Sequence, residues 1–128
     1  MKIILIDAVH TFVSDKGKVD KEVLNVLESY PNRKIIVTNA PYEKFEDYKL
    51  YNMPYDVFTL QKTPPKTDPT YFEVLIDKCH SKPRNFVYIE HNKEAVEAAK
   101  SLGIKSHHFD KDKRDIKALK QFLNENIH

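Results

Sequence analysis

The chain has 128 residues, 41% of them hydrophobic, and a formal net charge of +2. This length and composition suit one domain with a sizeable core. Because 21 basic and 19 acidic residues nearly balance, we expect neither a nucleic-acid partner nor a membrane-surface partner. The lone cysteine, Cys79, excludes an internal disulfide. No apolar run is long enough for a signal peptide or a membrane span, so we expect a cytoplasmic protein.

Short apolar runs alternate with amphipathic stretches of helical period along the chain. This pattern is typical of an α/β protein with a mainly parallel sheet. The five predicted strands cover residues 2–6, 34–37, 57–60, 86–89 and 105–109. We therefore predict a Rossmann-like, three-layer α/β/α architecture with a central five-stranded sheet, formed by a single domain over residues 1–128.

A helix is predicted after each strand, from capping residues and apolar stripes. The first begins after Asp20, the third begins at Asp68-Pro69, and the fourth is capped by Asn92 and closed by Gly103. The second and the last are predicted over residues 42–51 and 112–124.

Polar residues follow four of the predicted strands. Asp7 ends the first strand, Thr38-Asn39 end the second, Lys66 follows the third, and Glu90-His91 end the fourth. Because the carboxyl ends of parallel strands meet at one edge of an open α/β sheet, where ligands bind, we expect these side chains to converge. A carboxylate with a hydroxyl and an ammonium group beside it suits reactions in which negative charge must be stabilised.

Four segments, in this order, resemble the motifs of the haloacid dehalogenase (HAD) superfamily. They are Asp7-Ala8-Val9-His10-Thr11, Ile35-Ile36-Val37-Thr38-Asn39, Lys66-Thr67-Asp68-Pro69, and the stretch from Val87 to Gly103 that contains Glu90-His91-Asn92. The resemblance extends from residue 2 to about residue 110 and implies a HAD-like fold. It also implies that Asp7 is a nucleophile and that Thr38, Asn39 and Lys66 bind a phosphoryl group.

The sequence departs from the superfamily pattern at the positions of the acid/base and metal-binding residues. The resemblance implies an acid/base aspartate at Val9, a metal-holding aspartate at His91, and a further acid or amide at Ala95. Magnesium prefers oxygen ligands, so we expect its site to be weakened, and we predict no cofactor. The remaining candidates for holding a cation are Asp7, Glu90 and His91, with Glu90 as a substitute for the missing aspartate.

His10 lies beside the acid/base position, and histidine is a residue type that commonly acts as a general acid or base. Because His10 follows Val9 on an extended segment, we expect its side chain to point away from the site. His10 and His91 together would give two imidazole ligands for zinc, but the sequence supplies no firm third ligand.

Two hypotheses on function follow. The favoured one is a pseudoenzyme with little or no magnesium-dependent phosphatase activity, whose partner is a phosphorylated ligand or a protein. The alternative is an active HAD-type hydrolase, either a phosphatase or a metal-independent dehalogenase-like enzyme, with Asp7 as nucleophile and Thr38 and Lys66 as charge stabilisers. The segments between the motifs are too short for a cap domain, so we expect an open, capless site.

Overall fold

A computed structural model describes residues 1–128. Its centre is one five-stranded sheet in the order β3-β2-β1-β4-β5, and every neighbouring pair of strands is parallel. The strands are β1 (Ile3–Asp7), β2 (Lys34–Thr38), β3 (Asp56–Thr59), β4 (Phe86–Glu90) and β5 (Lys105–His108). The predicted α/β fold and five-stranded sheet are confirmed.

Three α-helices connect strands, and a fourth follows β5. They are α1 (Lys21–Glu28), α2 (Pro69–Lys78), α3 (Lys93–Lys100) and α4 (Ile116–Asn126). Asp20, Asp68 and Asn92 cap the first three as predicted, since each side chain accepts hydrogen bonds from backbone N–H groups of the first helical turn. None of these helices has both the length and the apolar composition that crossing a bilayer requires.

The alternation of side chains along the strands divides the core into two layers. On one face, Ile4 and Ile6 of β1 pack in a cluster with residues of α1 and α4; on the other, Leu5 packs in a cluster with residues of α2 and α3. The sheet is therefore covered by helices on both faces, which leaves its carboxyl edge to form a site.

The predicted helix over residues 42–51 is wrong. The segment instead forms two short 3₁₀ turns, Tyr42–Lys44 and Leu50–Asn52, separated by Lys49 with a φ of 54°. Phe45 and Leu50 are both buried, although residues five apart would lie about 140° apart around an α-helix. The left-handed break at Lys49 lets both side chains reach the core.

The last helix begins later than predicted, at Ile116 rather than residue 112, and its N-cap is Asp115. Arg114 has a φ of 45°, which is incompatible with a helix. Its guanidinium group donates hydrogen bonds to the Asp20 carboxylate and to the carbonyls of His10 and Thr11. These bonds fix the residue before the helix in a turn, and they tie that turn to the loop after β1.

Gly17 is expected to be far less tolerant of alanine than Gly103. Both have positive φ, 79° and 92°, but a Cβ on Gly17 would lie 2.6 Å from the Tyr48 carbonyl oxygen, whereas the nearest atom at Gly103 would be 3.8 Å away. We expect Gly103→Ala to cost about 1–2 kcal/mol from its backbone conformation, and Gly17→Ala about 1–3 kcal/mol more. Urea unfolding measures both, and equal losses would contradict the close approach.

Candidate functional site

The ends of the central strands bring the predicted residues together. Asp7 ends β1, Thr38 ends β2 and Glu90 ends β4, while Lys66 enters from the loop between β3 and α2. All four are buried, with exposed fractions of 2%, 4%, 0% and 6% respectively. The side chains expected to converge do lie at one edge of the sheet.

The Asp7 carboxylate is bonded through both of its oxygen atoms. Oδ1 accepts a hydrogen bond of 2.5 Å from the Lys66 ammonium group. Oδ2 accepts one of 2.7 Å from the Thr11 hydroxyl and also contacts Nδ1 of His91. Asp7 is therefore held by two cationic side chains and one hydroxyl.

Glu90 is bonded just as completely. Oε1 accepts hydrogen bonds from the Lys66 ammonium group, at 2.7 Å, and from the Tyr88 hydroxyl. Oε2 lies 3.2 Å from Nδ1 of His91 and accepts a hydrogen bond of 3.0 Å from the backbone N–H of Asn92. Lys66 and His91 thus both bridge the two carboxylates.

The charges of this cluster stabilise one another. Burial opposes the ionised form of Asp7, but the Lys66 ammonium group and His91 outweigh it and hold the pKa of Asp7 well below its ordinary value. Burial also opposes the charge of Lys66, yet Asp7 and Glu90 raise the pKa of Lys66 above its usual range. For His91, burial is again outweighed by hydrogen bonds to Asp7 and Glu90, which raise its pKa to about 9. Lys66 and His91 are therefore paired with both carboxylates.

Tyr71 aligns the loops that follow the strands. Its hydroxyl donates towards the carbonyls of Thr38 and Phe58, at 3.0 Å each, and accepts from the Thr38 N–H at 3.1 Å. The Oδ1 atom of Asn39 accepts a 2.8 Å hydrogen bond from the Lys66 N–H. Asn39 therefore positions the backbone at Lys66 and leaves its own amide nitrogen without a partner in the protein.

A pocket of about 260 Å³ opens above the cluster. Its lining includes the expected residues Asp7, Thr38, Asn39, Lys66 and His91, and also Val9, His10, Lys44 and Lys62. A larger cleft of about 720 Å³ beside it shares His10, but is lined by surface residues such as Lys18, Lys111 and Asp112 and contains none of the buried cluster. The smaller pocket is the candidate functional site.

The expectation for His10 was wrong. Its side chain lines the pocket and packs edge-on against the His91 ring, with 5.3 Å between the ring centroids. The prediction assumed an extended segment, but His10 has a φ of 74°, which turns the side chain towards the site. Arg114 holds this turn by its hydrogen bond to the His10 carbonyl.

Sequence reasoning assigned no role to Thr11, Tyr88, Lys44 or Lys62. Thr11 lies within the first motif, so a hydrogen bond four residues back to Asp7 is the contact that the motif could have suggested. Tyr88 precedes Glu90 by two residues on β4, and this period places both side chains on one face of the strand. Lys44 and Lys62 carry no local signal, because loop geometry alone brings them to the pocket.

Comparison with known proteins supports the fold. No family model and no curated protein matches this sequence. A Porphyromonas gingivalis protein predicted to be a HAD-like family hydrolase has a TM-score of 0.74 and 12% identity, over 96% of this chain and 98% of that one. A HAD family enzyme from Bacteroides thetaiotaomicron, solved with magnesium and inorganic phosphate, has a TM-score of 0.63 and 11% identity, over 84% and 93%.

The core domain of a proposed phosphoglycolate phosphatase from Streptococcus pneumoniae is also similar, with a TM-score of 0.58 and 22% identity, over 84% of this chain and 79% of that one. The chain therefore has the HAD-like hydrolase fold, as its four motifs predicted.

The residues present do not fit the magnesium ion with which the Bacteroides enzyme was solved. Asp7, Glu90 and His91 do place one ligand atom each within 4.8 Å of one another. However, both carboxylates already accept hydrogen bonds from the Lys66 ammonium group, and His91 offers a nitrogen where Mg²⁺ prefers oxygen. A divalent ion here would have to displace one of these side chains.

We expect His91 to stabilise the protein at neutral pH and to lose this effect in alkali. Its folded-state pKa of about 9 lies above its ordinary value of 6.5. The stabilisation is therefore fully present below about pH 6.5 and is lost as the pH rises through about 9. Allowing for partial exposure, its size is about 2–3 kcal/mol.

The measurement is urea unfolding of the native protein and His91→Gln at about pH 6 and about pH 10. The difference in free energy of unfolding between the two proteins should be smaller at the higher pH. His128→Gln, which changes an exposed terminal histidine, should follow the native protein throughout. A pH-independent difference would contradict the assigned ion pairs with Asp7 and Glu90.

Proposed function

We propose that the protein binds a phosphorylated ligand in this pocket and has little or no magnesium-dependent phosphatase activity. The observation that carries the proposal is the bonding of the Asp7 carboxylate. Its two carboxylate oxygens are held by Lys66, Thr11 and His91. Attack on phosphorus needs an oxygen lone pair directed at the ligand. Oδ2 already contacts two side chains and Oδ1 accepts from Lys66, so at most one lone pair, on Oδ1, remains for attack.

The pocket still offers hydrogen-bond donors to an anion. The Thr38 hydroxyl accepts from the Ala40 N–H, and its own hydrogen has no acceptor in the protein. The amide nitrogen of Asn39 is likewise unbonded, and Lys66 uses only two of its three N–H donors on carboxylates. A phosphoryl group suits this set of donors because its oxygen atoms are strong acceptors.

Two further lysines favour a ligand larger than inorganic phosphate. Lys44 and Lys62 line the outer part of the pocket, where they would attract a second anionic group of the ligand. Lys44 also pairs with Asp47 at 3.6 Å, which leaves Lys62 as the less restrained of the two. We propose that the chain is a single capless cytoplasmic domain, whose open pocket admits large phosphorylated ligands.

The lack of an acid/base group supports weak or absent turnover. Val9 lines the pocket where the resemblance implies an aspartate. A placed acid/base group typically contributes ~10²–10⁴-fold to rate. His10 lines the pocket too, and in the active-hydrolase alternative below it is the side chain available for proton transfer.

Binding and turnover are tested separately. Binding of inorganic phosphate and of a sugar bisphosphate is followed by NMR or calorimetry, for the native protein, Lys62→Gln and Lys44→Gln. We expect Lys62→Gln to weaken the binding of the sugar bisphosphate, which carries two phosphoryl groups, more than the binding of inorganic phosphate. Lys117→Gln, an exposed change on α4, should alter neither affinity, and undetectable binding of every phosphorylated compound would refute the proposal.

The alternative is an active hydrolase that uses Asp7 as nucleophile. Its support is that Asp7 lines the pocket and is held ionised beside the Lys66 ammonium group. Hydrolysis of aryl, sugar and nucleoside phosphates, with and without magnesium, tests it. Turnover that Asp7→Asn abolishes would establish the alternative and overturn the non-catalytic proposal.

A further inference from the structure

His91 occupies the place between the two buried carboxylates. It follows β4 directly, and its Nδ1 atom contacts Oδ2 of Asp7 and lies 3.2 Å from Oε2 of Glu90. A cation shared by two carboxylates at the carboxyl ends of β1 and β4 would have to make these same contacts. Lys66 bridges the other two carboxylate oxygens, Oδ1 and Oε1.

We infer that the His91 imidazole takes the place of a divalent cation in this pocket, so that the protein binds a phosphoryl group without metal. The inference deepens the proposed ligand-binding function and rests on it for the bound anion. Its claim about metal ions can be tested independently of that function.

The geometry of the ring supports the inference. Because Nδ1 faces the carboxylates, Nε2 lies on the opposite side of the ring, and it makes no hydrogen bond within the protein. No buried side-chain nitrogen or oxygen lacks a partner, so the unbonded Nε2 reaches solvent, and His91 is among the residues that line the pocket. A protonated ring would therefore offer an N–H donor and positive charge to an anion, as a bound cation does.

The surroundings of the ring agree with this role. Its Nδ1 atom faces the carboxylates of Asp7 and Glu90. The charged groups facing the ring are these two carboxylates, with His10 packed against its edge. Lys66 and His91 together supply two positive charges to two carboxylates, so the cluster has no net charge for a metal ion to neutralise.

The test combines thermal unfolding with phosphate titration. Native protein, His91→Asp and the matched control His91→Asn are heated with and without MgCl₂, and inorganic phosphate is titrated into each in EDTA and in MgCl₂. We expect the native protein to show no magnesium-dependent rise in Tm and the same phosphate affinity in both buffers. The Tm of His91→Asp should rise by about 3 °C or more with magnesium. This variant should also bind phosphate at least ~10-fold more tightly with magnesium than with EDTA.

His91→Asn lacks both the positive charge and the added carboxylate. It should bind phosphate at least ~10-fold more weakly than native protein and should not respond to magnesium. This variant decides the question if His91→Asp fails to fold.

Three results would overturn the inference. They are a Tm rise of the native protein with Mg²⁺, Mn²⁺ or Zn²⁺, phosphate binding that requires such an ion, and full phosphate affinity in folded His91→Asn. If the native protein binds no phosphate at all, the proposed function fails. The magnesium response of His91→Asp and of the native protein then still decides whether His91 replaces a cation.

Discussion

Replacing Lys66 with methionine is expected to lower the free energy of unfolding by about 3–5 kcal/mol. The substitution removes the ammonium group that bonds to Asp7 at 2.5 Å and to Glu90 at 2.7 Å. Both carboxylates would remain buried, with exposed fractions of 2% and 0%, and would lose their principal counter-charge. Methionine has a similar length, so the loss reports the charge rather than a cavity.

Urea unfolding at neutral pH measures this loss. Lys117→Met, a surface substitution on α4, is the matched control and should change stability by less than about 0.5 kcal/mol. Combining Lys66→Met with Asp7→Asn and Glu90→Gln should recover part of the stability, because no buried carboxylate would remain without a counter-charge. A loss for Lys66→Met as small as that of the control would show that the buried ion pairs do not form in solution.

Restoring the two missing carboxylates is expected to create a magnesium-dependent phosphatase. Val9→Asp would place an acid/base group in the pocket, and His91→Asp would give oxygen ligands in place of the imidazole. The His91→Asp substitution would also release Oδ2 of Asp7 from its contact with the imidazole. We expect p-nitrophenyl phosphate hydrolysis with magnesium to exceed that of the native protein by at least ~100-fold, the lower end of what a placed acid/base group contributes.

The double variant Val9→Asn, His91→Asn is the control. Asparagine is isosteric with aspartate, so this variant changes the same positions without adding carboxylates. It should remain as inactive as the native protein, and Asp7→Asn in the active double variant should abolish turnover. Circular dichroism establishes that each variant is folded. No gain in a folded Val9→Asp, His91→Asp protein would mean that these positions do not correspond to the acid/base and metal positions that the resemblance implies.

The fold was predictable because its elements depend on local patterns. The continuous apolar run of residues 3–6 is what a strand buried on both faces requires, and Asp20, Asp68 and Asn92 are capping residues placed before amphipathic stretches. The failure at residues 42–51 has a clear cause. That segment contains enough apolar residues for a helix, but Lys49 adopts a left-handed conformation that tertiary packing imposes.

The convergence of the strand-end residues was predictable, and their bonding was not. Parallel strands place Asp7, Thr38 and Glu90 at one edge, so their proximity follows from the strand order. The direction of Glu90 could not be read from the chain, because the twist at a strand end decides which way the side chain points. Only the structure shows that Glu90 accepts a hydrogen bond from Lys66.

The sequence by itself determined the alternation of strands and helices, the HAD-like fold and the group of residues that meet at the sheet edge, since periodicity, caps and strand ends are local properties. Tertiary structure alone decided that Lys66 and His91 bridge both carboxylates and that His10, Lys44 and Lys62 line the pocket. Those contacts join residues up to 84 positions apart. They depend on loop conformation and burial, which no short pattern in the chain specifies.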